Sequence, residues 1–395
     1  MAHLFSSAWS DQPDPEKAIE ETAHKIRDGL GGARCDLALL FISEGFPESN
    51  VAAWVELFRK TAGPVLLAGC NSSGVIGSER EIEMTPAVAA IGMHLPDVRL
   101  QPFFLTSKEI LAFGENGGLV EELDLYPNEK PHFICFGDPL SCDTRQLLTS
   151  FNKGYPGASM TGGLASAVML QSASALWVGS EMASSGVVGL ALSGNIECLT
   201  LVSQGCRPIG QPLAVTHAEE NVLYQMAGRP ALEVLRETYE NLSPEDQELA
   251  KTSLFVGLAM DESCLRFDRG DFLIRNIVGA DNEKGALAIG EILEPGQTIQ
   301  FQLRDRRASS EDLEAMLKRL PAQDAGRTEG GLLVSCLGRG RGLFQEPDHD
   351  AGLIQSLRGP LPLAGFFANG EFGPVRDRNY VHGYTSSLTL FREKK

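Results

Sequence analysis

Residues 361–374 read LPLAGFFANGEFGP, a short apolar run that climbs into Gly365, then two aromatics, then an amide and a carboxylate set between Gly370 and Gly373. Glycine at that density marks backbone that a side chain would obstruct, or a close approach to something else. Residues 66–77, LLAGCNSSGVIG, repeat the device, with Gly69, Gly74 and Gly77 at the spacing of Gly365, Gly370 and Gly373. Each tail closes the same local order of strand, loop, helix and second strand. In the first unit 36–43 is a continuous apolar run of strand length and 44–47 a loop. Val51, Trp54, Val55 and Phe58 then mark one helix face closed by Gly63, and 64–68 is a second short buried strand. In the last unit 332–337 is a strand, 338–342 a glycine–arginine loop, 349–358 a helix carrying Leu353, Ile354 and Leu357, and 361–364 the strand into the tail. A further copy lies between them: strand 132–136, loop 137–143, helix 144–151 and a degenerate tail at Gly162-Gly163-Leu164-Ala165-Ser166.

Returning strands or hairpins follow each unit, 87–95 with 98–105, 186–193 with 196–203, and 386–391, which argues against a purely parallel sheet. The fold class is therefore α/β to α+β: mixed β-sheets with helices packed outside, built from repeated strand-loop-helix-strand units in two tightly packed halves. Asp14-Pro15 is an N-cap with proline at N1, and Ile19, Thr22, Ala23, Ile26 and Leu30 keep helical spacing up to Gly31 and Gly32. Between the second and third units, helices start at Pro230 and Ser243-Pro244, and strands run at 253–260 and 272–278. Ser309 with Asp312 reads as the cap of a helix whose apolar face is Leu313, Met316, Leu317 and Leu320. The boundary falls near Gly228, giving a helical segment 1–35 and domains 36–228 and 229–395.

The chain of 395 residues has length for two cores, and its 43% hydrophobic and 22% charged residues are ordinary globular values. No apolar run approaches the ~20 residues of a membrane helix, and the N-terminus lacks a basic leader, so the expected location is cytoplasmic with no membrane partner. Fifty-two acidic against thirty-four basic residues give a net charge of -18, which disfavours nucleic acid. The eight cysteines form no C-x-x-C pair and read as reduced, and the seven histidines show no metal-ligand spacing, so no metal or cofactor is expected.

A right-handed crossover in each unit sends both of its strands the same way, so the loop after the first and the glycine tail after the second open onto one crevice. In the third unit that brings Arg339 and Arg341 near Phe366, Asn369 and Glu371. Planar guanidinium groups there would take a carboxylate, and Asn369 and Glu371 an ammonium or amide, the two ends of a small zwitterion. The competing reading pairs Arg339 with Glu371 and gives the glycines to turns. Asn71, Ser72 and Ser73 are candidates at the first tail, with local turn and cap bonding as their alternative. Cys336 ends its strand beside the arginines; facing the crevice it is an electropositive, activated thiol, and facing the core a small inert hydrophobe. Other catalytic templates fail: residues 338–342 make neither a dinucleotide fingerprint nor a P-loop, no G-x-S-x-G elbow occurs, and His382 reads as a structural histidine.

These residues carry a resemblance. LVSCLGRG from Leu333, GFFANGEFGP from Gly365 and HGYT from His382 are similar to the C-terminal half of the FIST family, and FLIRNIVGAD from Phe272 and residues 296–305 resemble its earlier part. GCNSSG from Gly69, GVVGLAL from Gly186, QGCRPIG from Gln204 and VTHA from Val215 resemble the partner FIST module. The resemblance, spanning about 36–385, implies a sensory module of intracellular signal transduction that binds small ligands such as amino acids. In some eukaryotic relatives the module is attached to an F-box, for which the segment before Asp36 is too short, so the output is expected from a separate protein or a conformational change. The expected function is a small-ligand sensor with Arg339 and Arg341 as anion anchors, Asn369 and Glu371 as polar partners, and Arg275 assisting. Two alternatives stand beside it: a protein–protein adaptor with a signalling partner, and an enzyme using Cys336 as nucleophile. The positions where the two tails differ, Phe366, Phe367 and Glu371 against Cys70, Asn71 and Val75, are where function is expected.

Overall fold

The computed structural model describes residues 2–46, 50–167, 173–264, 266–321 and 328–395; Pro47, in the loop read from the sequence, lies outside them. Each of the three units forms one parallel strand pair joined by a helix. In the first, β1 (Leu37–Ser43) and β2 (Leu66–Ser72) flank the helix Val51–Ala62. In the second, β3 (His132–Gly137) and β4 (Met160–Leu164) flank Thr144–Gly154. In the third, β5 (Glu329–Cys336) and β6 (Leu363–Ala368) flank His349–Arg358. The first strand of every pair is buried on both faces, which is why it reads as an unbroken apolar run. Residues 338–342 are only partly loop, since Gly340–Phe344 closes into a short helix.

The glycines have a specific steric role. Leu40 faces Gly69, Cys135 faces Gly162 and Leu333 faces Gly365 across the three pairs. A Cβ at Gly69, Gly162 or Gly365 would stand 1.8, 2.0 or 1.7 Å from that partner's carbonyl oxygen. Only glycine lets the strands approach this closely, and the shared contact puts the three units in one register.

Val88–His94 and Val98–Leu105 do not form the hairpin that their spacing allows. Val88–His94 lies between β1 and Leu4–Ser10, so it has no free edge, and Val98–Leu105 becomes the outer strand of the second sheet. Val187–Gly194 and Ile196–Gln204 part in the same way, the first returning beside β3 and the second joining the third sheet. The short hairpin after each tail also leaves its own unit. Gly74–Ile76 with Glu81–Glu83 pairs onto β6, Leu176–Val178 with Glu181–Ala183 onto β2, and Glu371–Val375 with Arg378–His382 onto β4. The exchange is cyclic, first to third, third to second, second to first, and completes three six-stranded sheets of matching order.

The inner faces of these sheets share one core. Phe41, Phe136 and Phe366, one from each unit, meet there, Phe41 stacked on Phe366 at 5.0 Å and Phe136 edge-on to both at 5.6 and 5.8 Å. Helices Pro15–Gly29 and Val51–Ala62 cover the outer face of the first sheet, and Ser107–Asn116 and Thr144–Gly154 that of the second. Asp14 caps Pro15–Gly29 through the amides of Glu16 and Lys17, as its position before proline requires.

Ser203–Leu313 with His382–Tyr384 make a second compact unit. Its strands Leu213–Glu219, Val222–Met226, Ala286–Ile289, Phe272–Asp281, Leu254–Ala259 and Thr298–Arg304 pair antiparallel in that order, and Thr298–Arg304 pairs back to Leu213–Glu219. The sheet therefore closes into a small barrel. Ser309 does not cap the helix Arg306–Arg319; Asp305 does, accepting from the amides of Arg307 and Ala308 at 2.9 and 3.3 Å, while Ser309 lies inside the helix and donates back to the Asp305 carbonyl. Among the described residues no helix is long and apolar enough to cross a membrane.

The glycine contact predicts a sharp contrast. Gly69→Ala, Gly162→Ala and Gly365→Ala should each cost about 3 kcal/mol or more in urea unfolding, whereas Gly342→Ala, with nothing within 4 Å of the added methyl, should change stability little. Equal behaviour of the two classes would show that the close approach is relieved by small shifts.

Candidate functional site

The parallel pairs bring the ends of β5 and β6 to one edge, and the third tail runs along it. Cys336, the last residue of β5, is 8% exposed, and its Sγ accepts from the Gly338 amide at 3.4 Å. Its thiol lies against the carboxyl of Glu371, the first residue of the exchanged hairpin. Glu371 is fully buried, and its Oε2 accepts from the Thr385 hydroxyl at 2.7 Å and the Thr385 amide at 3.2 Å. Burial pushes this carboxyl up to about 8; the Thr385 hydroxyl and amide, the Cys336 thiol and the Gly370 amide oppose the rise without cancelling it. No guanidinium or ammonium stands among these groups, so Glu371 is largely a neutral acid at pH 7.

The same edge gathers equivalent residues from all three tails. By register Ser73, Ser166 and Asn369 correspond. The Ser73 amide donates to Ser166 Oγ at 2.8 Å, Ser166 Oγ donates to the Phe367 carbonyl, and Asn369, two residues on, donates its amide to the Leu164 carbonyl at 3.0 Å. Ser73 and Asn369 are half-buried and reachable, while Ser166 is covered.

The repeat supplies its own comparison. The residue three places beyond the glycine's partner is Ser43 in the first unit, Asp138 in the second and Cys336 in the third. Ser43 accepts from the Ala87 amide at 2.7 Å and donates to the Thr85 carbonyl at 3.1 Å. Asp138 accepts from Ser141 and Ser174 at 2.5 and 2.6 Å. All three units make internal hydrogen bonds at this position, but only the third sets a thiol against an uncharged acid.

The arginines lie differently from a crevice-facing pair. Arg339 is fully buried, with Nε and Nη2 donating to Asp350 at 2.7 and 2.9 Å, so its fork is taken by an internal carboxylate and not by Glu371. Burial opposes its charge, but Asp350 outweighs that and raises its pKa. For Asp350 burial acts upward, and Arg339 and His349 overturn it and hold the carboxyl well below the usual range. Glu81, beside this pair, is pushed up to about 8 by burial and by the Asp350 charge, and its Oε1 accepts from the Ala351 amide at 2.8 Å. Arg341 is exposed, its amide donating to Glu83 at 2.9 Å. Arg275 belongs to the second compact unit and pairs with Glu291 at 3.0 Å.

The remaining candidates carry structural bonds. Asn71 is clamped between the Ala173 carbonyl and the Ala175 amide, both at 2.8 Å, and Ser72 donates to the Gly74 carbonyl at 2.8 Å. Phe366 is fully buried in the aromatic core. Sequence reasoning missed Thr385, Asp350, Glu81 and Ser166. Only Ser166 had a usable signal, its alignment with Ser73 and Asn369; the others are brought in by strand pairing and by a helix start remote in sequence.

Two outcomes follow. Because the Glu371 pKa is raised from 4.5 to about 8, the folded chain holds a proton that the unfolded chain releases, so the stabilisation is full below 4.5 and is lost as pH rises through 8. Glu81 acts in the same direction and window. Glu371→Gln should therefore flatten part of the fall in unfolding free energy between about pH 5 and 8, and an unchanged slope would show that Glu371 ionises normally in the fold. Arg339→Leu, which strands Asp350 in the interior, should cost about 3–5 kcal/mol, and Arg339→Leu with Asp350→Leu should recover most of it; chemical denaturation measures both.

The FIST N domain matches residues 36–229 and the FIST C domain residues 231–374. An uncharacterized protein of Mycobacterium tuberculosis is 37% identical over 382 residues, covering 97% of this chain and 98% of that protein. An uncharacterized protein of Mycobacterium bovis is 36% identical, covering 96% of each. Among solved structures, a cyanuric acid hydrolase from A. caulinodans aligns over 100% of this chain and 99% of its own with a TM-score of 0.34 and 8% identity, and PurLQS from Thermotoga maritima over 99% and 72% with a TM-score of 0.24 and 9% identity. Likeness at that level carries no inference about fold or chemistry. On the domain matches and the full-length relatives, the chain belongs to the FIST family, whose domains are generally sensory modules of signal transduction.

Proposed function

We propose that this protein is a cytoplasmic sensor that binds an amino acid or similar small polar metabolite at the strand-end edge of its first compact unit. The observation that carries the reading is the placement of Cys336 against the buried, uncharged Glu371, a thiol–acid pairing that the two sibling units lack at the same position. An acid held neutral in the interior, with no cation to stabilise its charged form, is a group whose state a ligand can change. An ammonium arriving at the reachable layer of Asn369 and Ser73 favours the carboxylate form of Glu371, and the proton leaves. Ionisation then strengthens the bonds that Thr385 donates, and Thr385 begins the strand Thr385–Glu393 that pairs along β5. Ligand occupancy is in this way converted into a change at a sheet strand. Arg341, exposed in the short helix after β5, is the guanidinium available for a ligand carboxylate, Arg339 being committed to Asp350.

The test is thermal unfolding of the full chain against a panel of amino acids and small amines. At least one compound should raise Tm, Glu371→Gln should abolish the rise, and Asn369→Ala should weaken it. A panel without effect, or a Glu371→Gln variant that responds like wild type, refutes the reading.

A further inference from the structure

The first sheet ends on one side in Leu4–Ser10, an outermost strand of its six. Its pairing decides which backbone groups stay free. The Ser43 amide donates to the Ala87 carbonyl at 2.9 Å, so residues 87, 89, 91 and 93 turn their N–H and C=O groups toward β1, and residues 88, 90, 92 and 94 turn theirs toward Leu4–Ser10. Leu4, Ser6, Ala8 and Ser10 meet the second set, which leaves the N–H and C=O groups of Phe5, Ser7 and Trp9 directed outward. Among the described residues no hydrogen bond reaches those outward groups. Such a row is a template for another strand, and folded chains usually guard it with a charge, a proline or a cover. The strands holding the same place in the other two sheets are guarded. Val98–Leu105 carries Arg99 and Pro102, with Gln101 donating to the Leu123 carbonyl, and Ile196–Gln204 carries Glu197. Leu4–Ser10 reads LFSSAWS, with neither charge nor proline.

The edge also opens into a groove. Residues 7–12 form one wall of a space of about 320 Å³, and the other walls are Glu21 and Lys25 of the helix Pro15–Gly29 and Ser78 and Glu79 of the first unit's hairpin turn. An extended peptide adds to an edge of this kind as a further strand, its backbone supplying affinity and the walls supplying choice. Here the walls favour a cation. Lys25 is paired with Glu21 at 2.7 Å and Arg80, the residue after Glu79, with Asp348 at 3.4 Å, whereas Asp11 and Glu79 are exposed and make no ion pair among the described residues. A second copy of the chain would bring the same carboxylates and a net charge of -18, so like charges would meet across the edge.

We infer that the outer edge of Leu4–Ser10 docks an extended, basic segment of a partner protein, which adds as a seventh strand to the first sheet and sets a lysine or arginine beside Asp11 and Glu79. The inference stands independently of the sensor reading, since it uses none of the same residues.

The probe is a fluorescently labelled seven-residue peptide of alternating threonine and lysine. One counterpart has glutamate in place of lysine, and another carries a methyl on every backbone nitrogen. Each is titrated into the full chain by anisotropy, and amide hydrogen exchange is followed by NMR. In the free chain the amides of Phe5, Ser7 and Trp9 should exchange fast and those of Ser6, Ala8 and Ser10 slowly. The lysine peptide should bind saturably and slow the three outward amides by about tenfold or more, and neither counterpart should do so. Ser7→Pro sets at this edge the residue type that the second sheet carries at Pro102. It removes an outward donor and none of the bonds to Val88–His94, and binding should be lost. Asp11→Lys with Glu79→Lys changes two exposed side chains and should weaken the lysine peptide about tenfold at low salt. The inference is overturned if the outward amides are already protected in the free chain, because a second copy or another part of the chain would then hold the edge. It is also overturned if either counterpart binds as well as the lysine peptide, or if the charge-reversed variant binds like wild type.

Discussion

The contact on which the first compact unit depends is backbone against backbone: Gly69 on Leu40, Gly162 on Cys135 and Gly365 on Leu333. Removing the side chain at one position per pair lets two strands close to a separation that a methyl group would block. Each pair is parallel, so each sends both C-terminal ends to one edge, and each tail leaves from the same point relative to its glycine. The first and third tails then have no room to fold back. One residue separates Leu66–Ser72 from Gly74–Ile76, too few for a hairpin loop. Asn369-Gly370 has the composition of a two-residue hairpin turn, but only Gly370 takes a positive φ, at 126°, so the primed turn that would reverse the chain does not form. The chain runs forward onto a neighbour's sheet. In the first and third units exchange is thus the outcome of a short tail after a close-packed glycine, whereas in the second residues 165–175 separate the strand from its exchanged hairpin.

Exchange places polar groups of one unit inside another, and the buried charges follow from that. Glu81 and Glu83 arrive on the first unit's hairpin and meet the third unit's helices, Glu81 accepting from Ala351 and donating its amide to Asp348 at 2.7 Å, Glu83 accepting from Arg341. Arg339 and Asp350 lie within this junction. A buried ion pair adds little net stability over an apolar substitute, yet breaking one side is severe. Its effect here is selective: a hairpin of the wrong unit would bring no carboxylate to the Ala351 amide.

Much of this was legible in the sequence, and the limit has a physical form. Apolar runs and helix faces report burial, so β1, β3, β5 and their helices were readable to within a few residues, and so was the cap at Asp14. Glycine spacing reports close approach, so the relation of Gly69 to Gly365 was visible. Pairing partners leave no such mark, since Val98–Leu105 alternates in the same way whichever strand it joins. Arg339 shows the same limit at one residue. Its position in a glycine-rich loop is compatible with facing out or in, and the deciding partner, Asp350, begins a helix beyond the loop. Ser309 was misread because a serine that donates to a carbonyl one turn back inside a helix has the same local sequence as a cap.

Three copies of one unit within a chain turn burial into evidence. A polar group in the interior of a single domain always admits a structural explanation, because some packing role can be found for it. Here the packing role is performed three times over, and the copies that do without a given group show that the fold can do without it. By that measure Ser43 and Asp138 are structural, each with its hydrogen-bonding capacity met inside its own surroundings. Glu371 differs in kind: it is a buried carboxyl pushed up to about 8 and set against the Cys336 thiol, a pairing that neither sibling unit repeats at the same position. The glycine contacts and the aromatic core tie the three units together, so the departures from repetition, rather than the repeat itself, separate what the chain needs in order to fold from what it carries for chemistry.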